Sequence, residues 1–318
     1  DLHISSLFPD TITNTKLVLQ ILNETGVEKI LVAGDLSDNF LFRKTIKHGC
    51  QIEDDFINYQ SIEKEYPSDL LIVASGNHDE FSVEEYNSPD HYILKYCNFY
   101  SKNEQYKKYD NFLISKVKYD SIEIFILNPY HYPSVPAGLG FSSDITKEML
   151  DKIELALLNF SYSKSRILIT HYPTSFTNSW EKSSSGKSLV DILTLSNLSL
   201  ILCGDTHYEL IIHSKTSLEI HARSVKISKN NGGGYQYISI DNGDVNYHGF
   251  VLNEEKPFAV LTYPIQKKCV SDMTDFSFKK FKKAEIRVVH FSENKNLNIS
   301  VSCIDKKSMN KNSGFLEF

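Results

Sequence analysis

The sequence predicts an α/β fold of buried strands flanked by helices, with a small all-β unit at its C-terminal end, and three observations predict it. Short apolar runs recur and break abruptly into polar residues, the pattern of strands buried on both faces. Between the runs, apolar residues fall at helical spacing, so strand and helix alternate as in a parallel sheet. From about residue 257 the helical spacing vanishes and apolar residues alternate with polar ones.

Asp1-Leu2-His3 reads as a polar strand end without its strand, so upstream residues are expected to have carried it. Leu17, Val18, Ile21 and Leu22 then lie at helical spacing and stop near Gly26, a crossover helix of a right-handed βαβ unit. Ile30, Leu31, Val32 and Ala33 form the strand it serves, ending in Gly34-Asp35-Leu36-Ser37-Asp38. Phe56, Tyr59 and Ile62 mark a second crossover helix, and its acidic start, Glu53, Asp54 and Asp55, reads as a solvated face. Leu70, Leu71, Ile72 and Val73 break into Gly76-Asn77-His78-Asp79. Residues 81–108 form a polar, Tyr-rich insertion, after which 112–117 and 122–127 pair across Tyr119-Asp120.

Three Pro and two Gly make 128–141 a loop at the rim of the strand ends, in which His131 is either a substrate contact or an ordinary surface histidine. Asp144 is expected to cap a helix striped by Met149, Leu150, Ile153, Leu157 and Leu158, which delivers the chain to Ile167, Leu168, Ile169, Thr170 and then His171. Leu200, Ile201, Leu202 and Cys203 run into Gly204-Asp205-Thr206-His207. Gly186-Lys187-Ser188 is no phosphate loop, because Glu181 stands where the earlier Gly belongs, and Gly232-Gly233-Gly234 precedes a strand rather than a helix. Residues 235–240 and 245–251 pair across Asn242-Gly243, a hairpin signal. Residues 286–291, with Leu297, Ile299, Val301 and Cys303 alternating, suggest a small antiparallel sandwich. Two domains follow, 1–255 and 256–318, the second incomplete where the chain stops.

At 318 residues and 41% hydrophobic, the chain can bury one large core and a small one. A net charge of −6 argues against a nucleic-acid partner. No apolar run approaches the roughly 18 residues of a spanning helix, and no signal peptide is visible. Five cysteines lack metal-type spacing; Cys203 reads as core, while Cys269 and Cys303 are candidates to pair. Sequons at Asn23, Asn159, Asn197 and Asn298 permit a secretory location without arguing for it.

On its own, Gly76-Asn77-His78-Asp79 fits a strand-to-turn corner that caps backbone amides better than it fits a site. Recurrence decides between them. Carboxylates and imidazoles delivered from five strand ends to one edge would repel or desolvate one another unless cations sat among them. A metal centre is the economical explanation.

Those five blocks, Asp1-x-His3, Gly34-Asp35-x-x-Asp38, Gly76-Asn77-His78-Asp79, His171 and Gly204-Asp205-x-His207, resemble the calcineurin-like metallophosphoesterases in order and spacing over about the first 250 residues. The resemblance implies a layered β-sandwich flanked by helices and two divalent ions, Zn, Mn or Fe. It implies that Asp1, His3, Asp35 and His207 hold one ion, while Asp35, as bridge, Asn77, His171 and Asp205 hold the other. A hydroxide bridging the ions would attack a phosphomonoester or phosphodiester, with His78 protonating the leaving oxygen and Asp79 fixing its tautomer. Asp38 is expected to orient His3 or the Asp35 loop. Asp205 departs from the pattern, where the family usually has His: either the second ion survives with altered metal preference or it is lost. The alternative function is an inactive phosphoesterase scaffold that binds protein.

The implied substrate is a phosphorylated small molecule or lipid-linked headgroup, with no nucleic acid. Residues 51–59, 76–81, 259–264 and 284–305 further resemble the transmembrane protein 62 branch, in which an immunoglobulin-like unit and then membrane-spanning helices follow. That branch implies anchoring by segments beyond Phe318, a secretory or membrane location, and a basic 279–283 run that lies near a membrane or is a solvated loop.

Overall fold

The computed structural model describes residues 1–39, 51–135, 142–159, 165–178, 180–213, 217–227, 232–241, 243–252, 259–264, 266, 269 and 286–291. Helix α1 (Pro9–Glu24), with Pro in its first turn, leads to β1 (Ile30–Ala33), and α2 (Glu53–Glu63) leads to β2 (Leu71–Ala74). The Asn77 motif forms a single helical turn, α3 (Asn77–Glu80). Short helices α4 (Tyr92–Tyr96), α5 (Asn98–Ser101) and α6 (Tyr109–Leu113) follow, so Phe112 belongs to a helix and the expected hairpin begins two residues later, as β3 (Ile114–Tyr119) and β4 (Ile122–Leu127). Two-residue strands β5 (Ser143–Asp144) and β7 (Thr177–Asn178) bracket α7 (Lys147–Leu157) and β6 (Ser165–Thr170). Helix α8 (Leu189–Leu195), β8 (Leu200–Cys203), β9 (Leu210–His213), β10 (Leu218–His221), the hairpin of β11 (Gly234–Asp241) and β12 (Asp244–Val251), and then β13 (Ala259–Tyr263) and β14 (Arg287–His290) complete the chain order.

Strands β5-β7, β11-β12 and β13-β14 form separate two-stranded pairs, while the two remaining sheets face each other, as the layered sandwich implied by the resemblance requires. One is the parallel pair β1-β2, which Ile4 joins by a parallel bridge to Ser37; the other is six-stranded and mixed, in the order β3-β4-β6-β8-β10-β9. Alternation explains why both faces are apolar. Ala33, Ile72, Ile124, Ile126, Ile167, Ile169, Leu200 and Leu202 meet between the sheets. Phe125, Leu127, Leu168 and Ile201 turn outward onto α7 and α8, and Val32, Leu71 and Val73 turn onto α1 and α2. All the metal-type residues lie at one end of this α/β/β/α stack, where β1, β2, β6 and β8 finish.

Three local expectations fail for identifiable reasons. Thr146, not Asp144, caps α7: its hydroxyl accepts from the Met149 N–H at 3.4 Å. The Tyr-rich insertion is not a polar excursion, since Tyr86, Tyr100, Tyr106 and Phe112 are buried against one another. Asp55 is not on a solvated face: it is fully buried, and one carboxylate oxygen accepts from the Ser6 N–H at 2.6 Å while the other has no partner. Burial pushes Asp55 up from 3.8 to about 6. A raised carboxyl favours the folded state most below 3.8, and that advantage is lost as pH rises through 6. The Asp55→Asn variant is therefore expected to match the wild type at pH 3.5 and to exceed it at pH 7 by up to about 3 kcal/mol in denaturant melts; equal stability at both pH values would contradict this.

At the C-terminal end, β13 and β14 are antiparallel. They pack on β11-β12: Asn246 donates to the Thr262 carbonyl at 2.8 Å, and Tyr237 stacks on Phe291 at 4.9 Å. Contacts therefore cross the expected 255/256 boundary. Cys269 is buried between the sheets; Cys303, the 279–283 run and the alternation at 297–303 lie outside the described residues. Among the described residues, no helix is long and apolar enough to cross a membrane.

Candidate metal centre

The strand ends project their polar residues through turns in an unusual backbone region. His3, Asp35, Asp205 and His207 have φ of 49°, 50°, 65° and 59°, left-handed values that His and Asp tolerate better than most residues but that still cost energy. Close approach dictates the glycines. A Cβ on Gly76 would overlap the backbone nitrogen and Oδ1 of Asp35, so β1 and β2 can bring their motifs together only through a residue without a side chain. Gly76→Ala is expected to displace Asp35 and abolish the thermal shift produced by Mn²⁺; a retained shift would show that the turn can give way.

His171 and His3 define two half-sites. The Nδ1 of His171 donates to the Ala33 carbonyl at 2.8 Å, leaving Nε2 as a lone pair. That lone pair faces Asn77 Oδ1 at 2.9 Å, Asp35 Oδ1 at 3.4 Å and Asp205 Oδ1 at 3.7 Å. The Nδ1 of His3 donates to Asp38 Oδ1 at 3.0 Å, as expected for Asp38. The Nε2 of His3 then faces His207 Nε2 at 2.9 Å, Asp35 Oδ2 at 3.2 Å and Asp1 Oδ1 at 3.8 Å. Asp35 thus gives one oxygen to each half-site.

Such a convergence of lone pairs repels itself unless a cation stands at the focus. Both carboxylate oxygens of Asp1 are buried without a hydrogen-bond partner, which is unfavourable for a structural carboxylate and expected of a metal ligand. In each half-site the second imidazole nitrogen is engaged by a carbonyl or carboxylate, the arrangement that orients metal-bound histidines. The nitrogen and oxygen donors fit a divalent transition metal.

The electrostatics agree. Burial, followed by the charges of His78 and His207, holds His3 well below the ordinary imidazole value, so it is neutral and able to ligate. Burial takes His207 down to about 4. Burial and the neighbouring Asp35 push Asp79 up to about 7, and burial, with the charge of Asp35 added, raises Asp205 against the opposing pull of His171.

His78, like Asp205 and His207, is half-buried, and its ring lies edge-on to His3 at 4.8 Å. Its Nδ1 pairs with the Asp38 carbonyl, and its Nε2 is 4.0 Å from Asp35 Oδ2. Asp79 is occupied elsewhere: it accepts from the backbone N–H groups of Leu36, Ser37 and Gly76 at 3.1, 3.0 and 2.9 Å, clamping the β1 turn to the β2 turn. His131, by contrast, is an exposed residue bonded to the Asp144 carbonyl.

The sequence reading missed two contributors. Asn39 holds the His78 carbonyl at 2.8 Å, and Lys226 places its ammonium 2.6 Å from Asp38 Oδ1. Asn39 follows the Asp35 motif directly and so was within reach. Lys226 comes from the loop after β10, where no pattern marks it.

A family model, calcineurin-like phosphoesterase, matches residues 1–209, and the chain belongs to that family. Among solved structures, a dimetal phosphatase from Danio rerio is similar at 11% identity and a TM-score of 0.51, covering 76% of this chain and 87% of that one. The phosphoesterase Yfce from E. coli is 13% identical with a TM-score of 0.34, over 80% and 96% of the two chains. The likeness to the Danio rerio phosphatase concerns the fold alone. No curated protein matches the chain.

Proposed function

We propose that the chain is a dinuclear metal-dependent phosphoesterase acting on a phosphomonoester or phosphodiester. The observation that carries this reading is the division of Asp35, Oδ1 toward His171 and Oδ2 toward His3, at the centre of two lone-pair clusters. Asp1, His3, Asp35 and His207 would hold one ion, and Asp35, Asn77, His171 and Asp205 the other. Bound there, two divalent ions would activate a water and neutralise phosphate oxygens. The chain's own residues supply the rest. With Nδ1 tied to the Asp38 carbonyl, His78 turns Nε2 toward the cluster, where it can hold the proton needed by the leaving oxygen. Asp79 acts by bracing the two turns, and Asp38 orients His3 and His78 together.

The test is metal analysis of the purified chain, followed by hydrolysis of mono- and diester reporters. Two ions per chain with metal-dependent hydrolysis are expected; no ions and no hydrolysis would favour the protein-binding scaffold. One observation favours that second reading in part: Asp205 replaces a nitrogen donor, so a chain with a single ion would place the loss there. The same proposal includes an immunoglobulin-like unit within 256–318, as in the transmembrane protein 62 branch, which a structure of that stretch would check.

A further inference from the structure

The turn that delivers Asp205 and His207 runs directly into β9, the outer strand of the six-stranded sheet, and one face of this segment is apolar and in solvent. Tyr208, Leu210 and Ile212 are 52%, 46% and 42% exposed. At period two Leu210 and Ile212 share a face of β9, with Tyr208 exposed in the turn just before the strand, while Ile211 packs on the core between the sheets. The register gives the stripe a direction. Leu210 pairs with His221 at the end where β8 and β10 reach the metal centre, and Ile212 pairs with Glu219 farther from it. The Thr174 hydroxyl donates to Glu219 at 2.5 Å, which ties the segment after His171 to the same face of β10. That segment continues through Phe176 and Trp180, 42% and 90% exposed. The acidic residue between Tyr208 and Leu210, Glu209, is paired with the Arg223 guanidinium at 2.9 Å.

Single exposed apolar residues are ordinary, but a contiguous row that begins beside a candidate metal ligand is an apolar surface joined to a polar site. A ligand matching both has a phosphoryl end and a hydrocarbon end. Resting on the phosphoesterase reading, we propose that the substrate is an amphiphilic phosphoester: its phosphoryl group enters the metal centre and its alkyl chain lies along Tyr208, Leu210 and Ile212. Each methylene that leaves water on this surface tightens binding, whereas a short-chain ester gains nothing from it.

Calorimetry with two non-hydrolysable probes on the metal-loaded protein tests this. Decyl phosphonate, kept below its micellar concentration, is expected to bind at least about tenfold tighter than methyl phosphonate. The double variant Leu210→Thr/Ile212→Thr, which keeps strand propensity on an exposed edge, is expected to erase that difference and leave methyl phosphonate binding unchanged. Equal affinity for both probes in the wild type, or equal weakening of both in the variant, would overturn the proposal while leaving the phosphate site intact. Light scattering showing a dimer that the variant dissociates would overturn it too, by assigning the stripe to edge-to-edge pairing of two copies. If neither probe binds a chain carrying two ions, the phosphoesterase reading itself falls.

Discussion

Asp35→Asn is expected to reduce bound metal from two ions per chain to one or none and to bring phosphoester hydrolysis down to background. Only a carboxylate can offer an anionic oxygen to both half-sites at once. In the amide, the carbonyl oxygen can keep the Oδ1 position, where it accepts the His78 N–H at 3.1 Å and faces His171. The Oδ2 position, 3.2 Å from His3 Nε2, becomes an NH₂ that presents protons where a cation has to sit. Because that NH₂ can donate to the imidazole lone pair, the variant is expected to fold, which separates loss of metal from loss of structure. Metal analysis after dialysis and reporter hydrolysis, on a variant with unchanged circular dichroism, give the answer. Two retained ions and wild-type turnover would remove Asp35 from the bridge.

His78→Ala is the second large effect, of a different kind. Turnover is expected to fall about 10² to 10⁴-fold with both ions still bound, because in the proposed reaction the imidazole supplies a proton rather than a ligand. Loss of metal along with activity would instead move His78 into the ligand set, and the 4.0 Å from its Nε2 to Asp35 Oδ2 is close enough for that outcome to be meaningful. Unchanged turnover would take His78 out of the reaction.

Much of this site was legible because its chemistry sits at strand ends, where an apolar run stops and a Gly-led polar turn begins. The Asp35, Asn77, His171 and His207 blocks are each marked in that way, and the structure brings all four together. What the pattern concealed was which partner each side chain takes. A carboxylate one residue from an imidazole suggests a dyad, yet Asp79 is drawn to three backbone N–H groups because the two turns approach so closely at Gly76 that those donors need an acceptor. His78 pairs with a backbone carbonyl instead, and backbone partners leave no trace in sequence. The fold shows the same limit. Strand identity was readable from apolar runs, but a run buried on both faces looks alike whether a helix or a second sheet covers it, so the layered sandwich came from the motif resemblance and not from the runs themselves. Asp55 misled for the opposite reason: an acidic first turn is usually solvated, and only tertiary contact with Ser6 shows otherwise.

Anomalous diffraction from crystals grown with Mn²⁺ tests the convergence of these side chains most directly. Two peaks are predicted, roughly 3.5–4 Å apart, one on the His3 side of Asp35 and one on the His171 side, with Asp1 reaching the first. Peaks remote from Asp35, or none in crystals of a chain that hydrolyses phosphoesters, would contradict the assignment of these residues to a dinuclear centre.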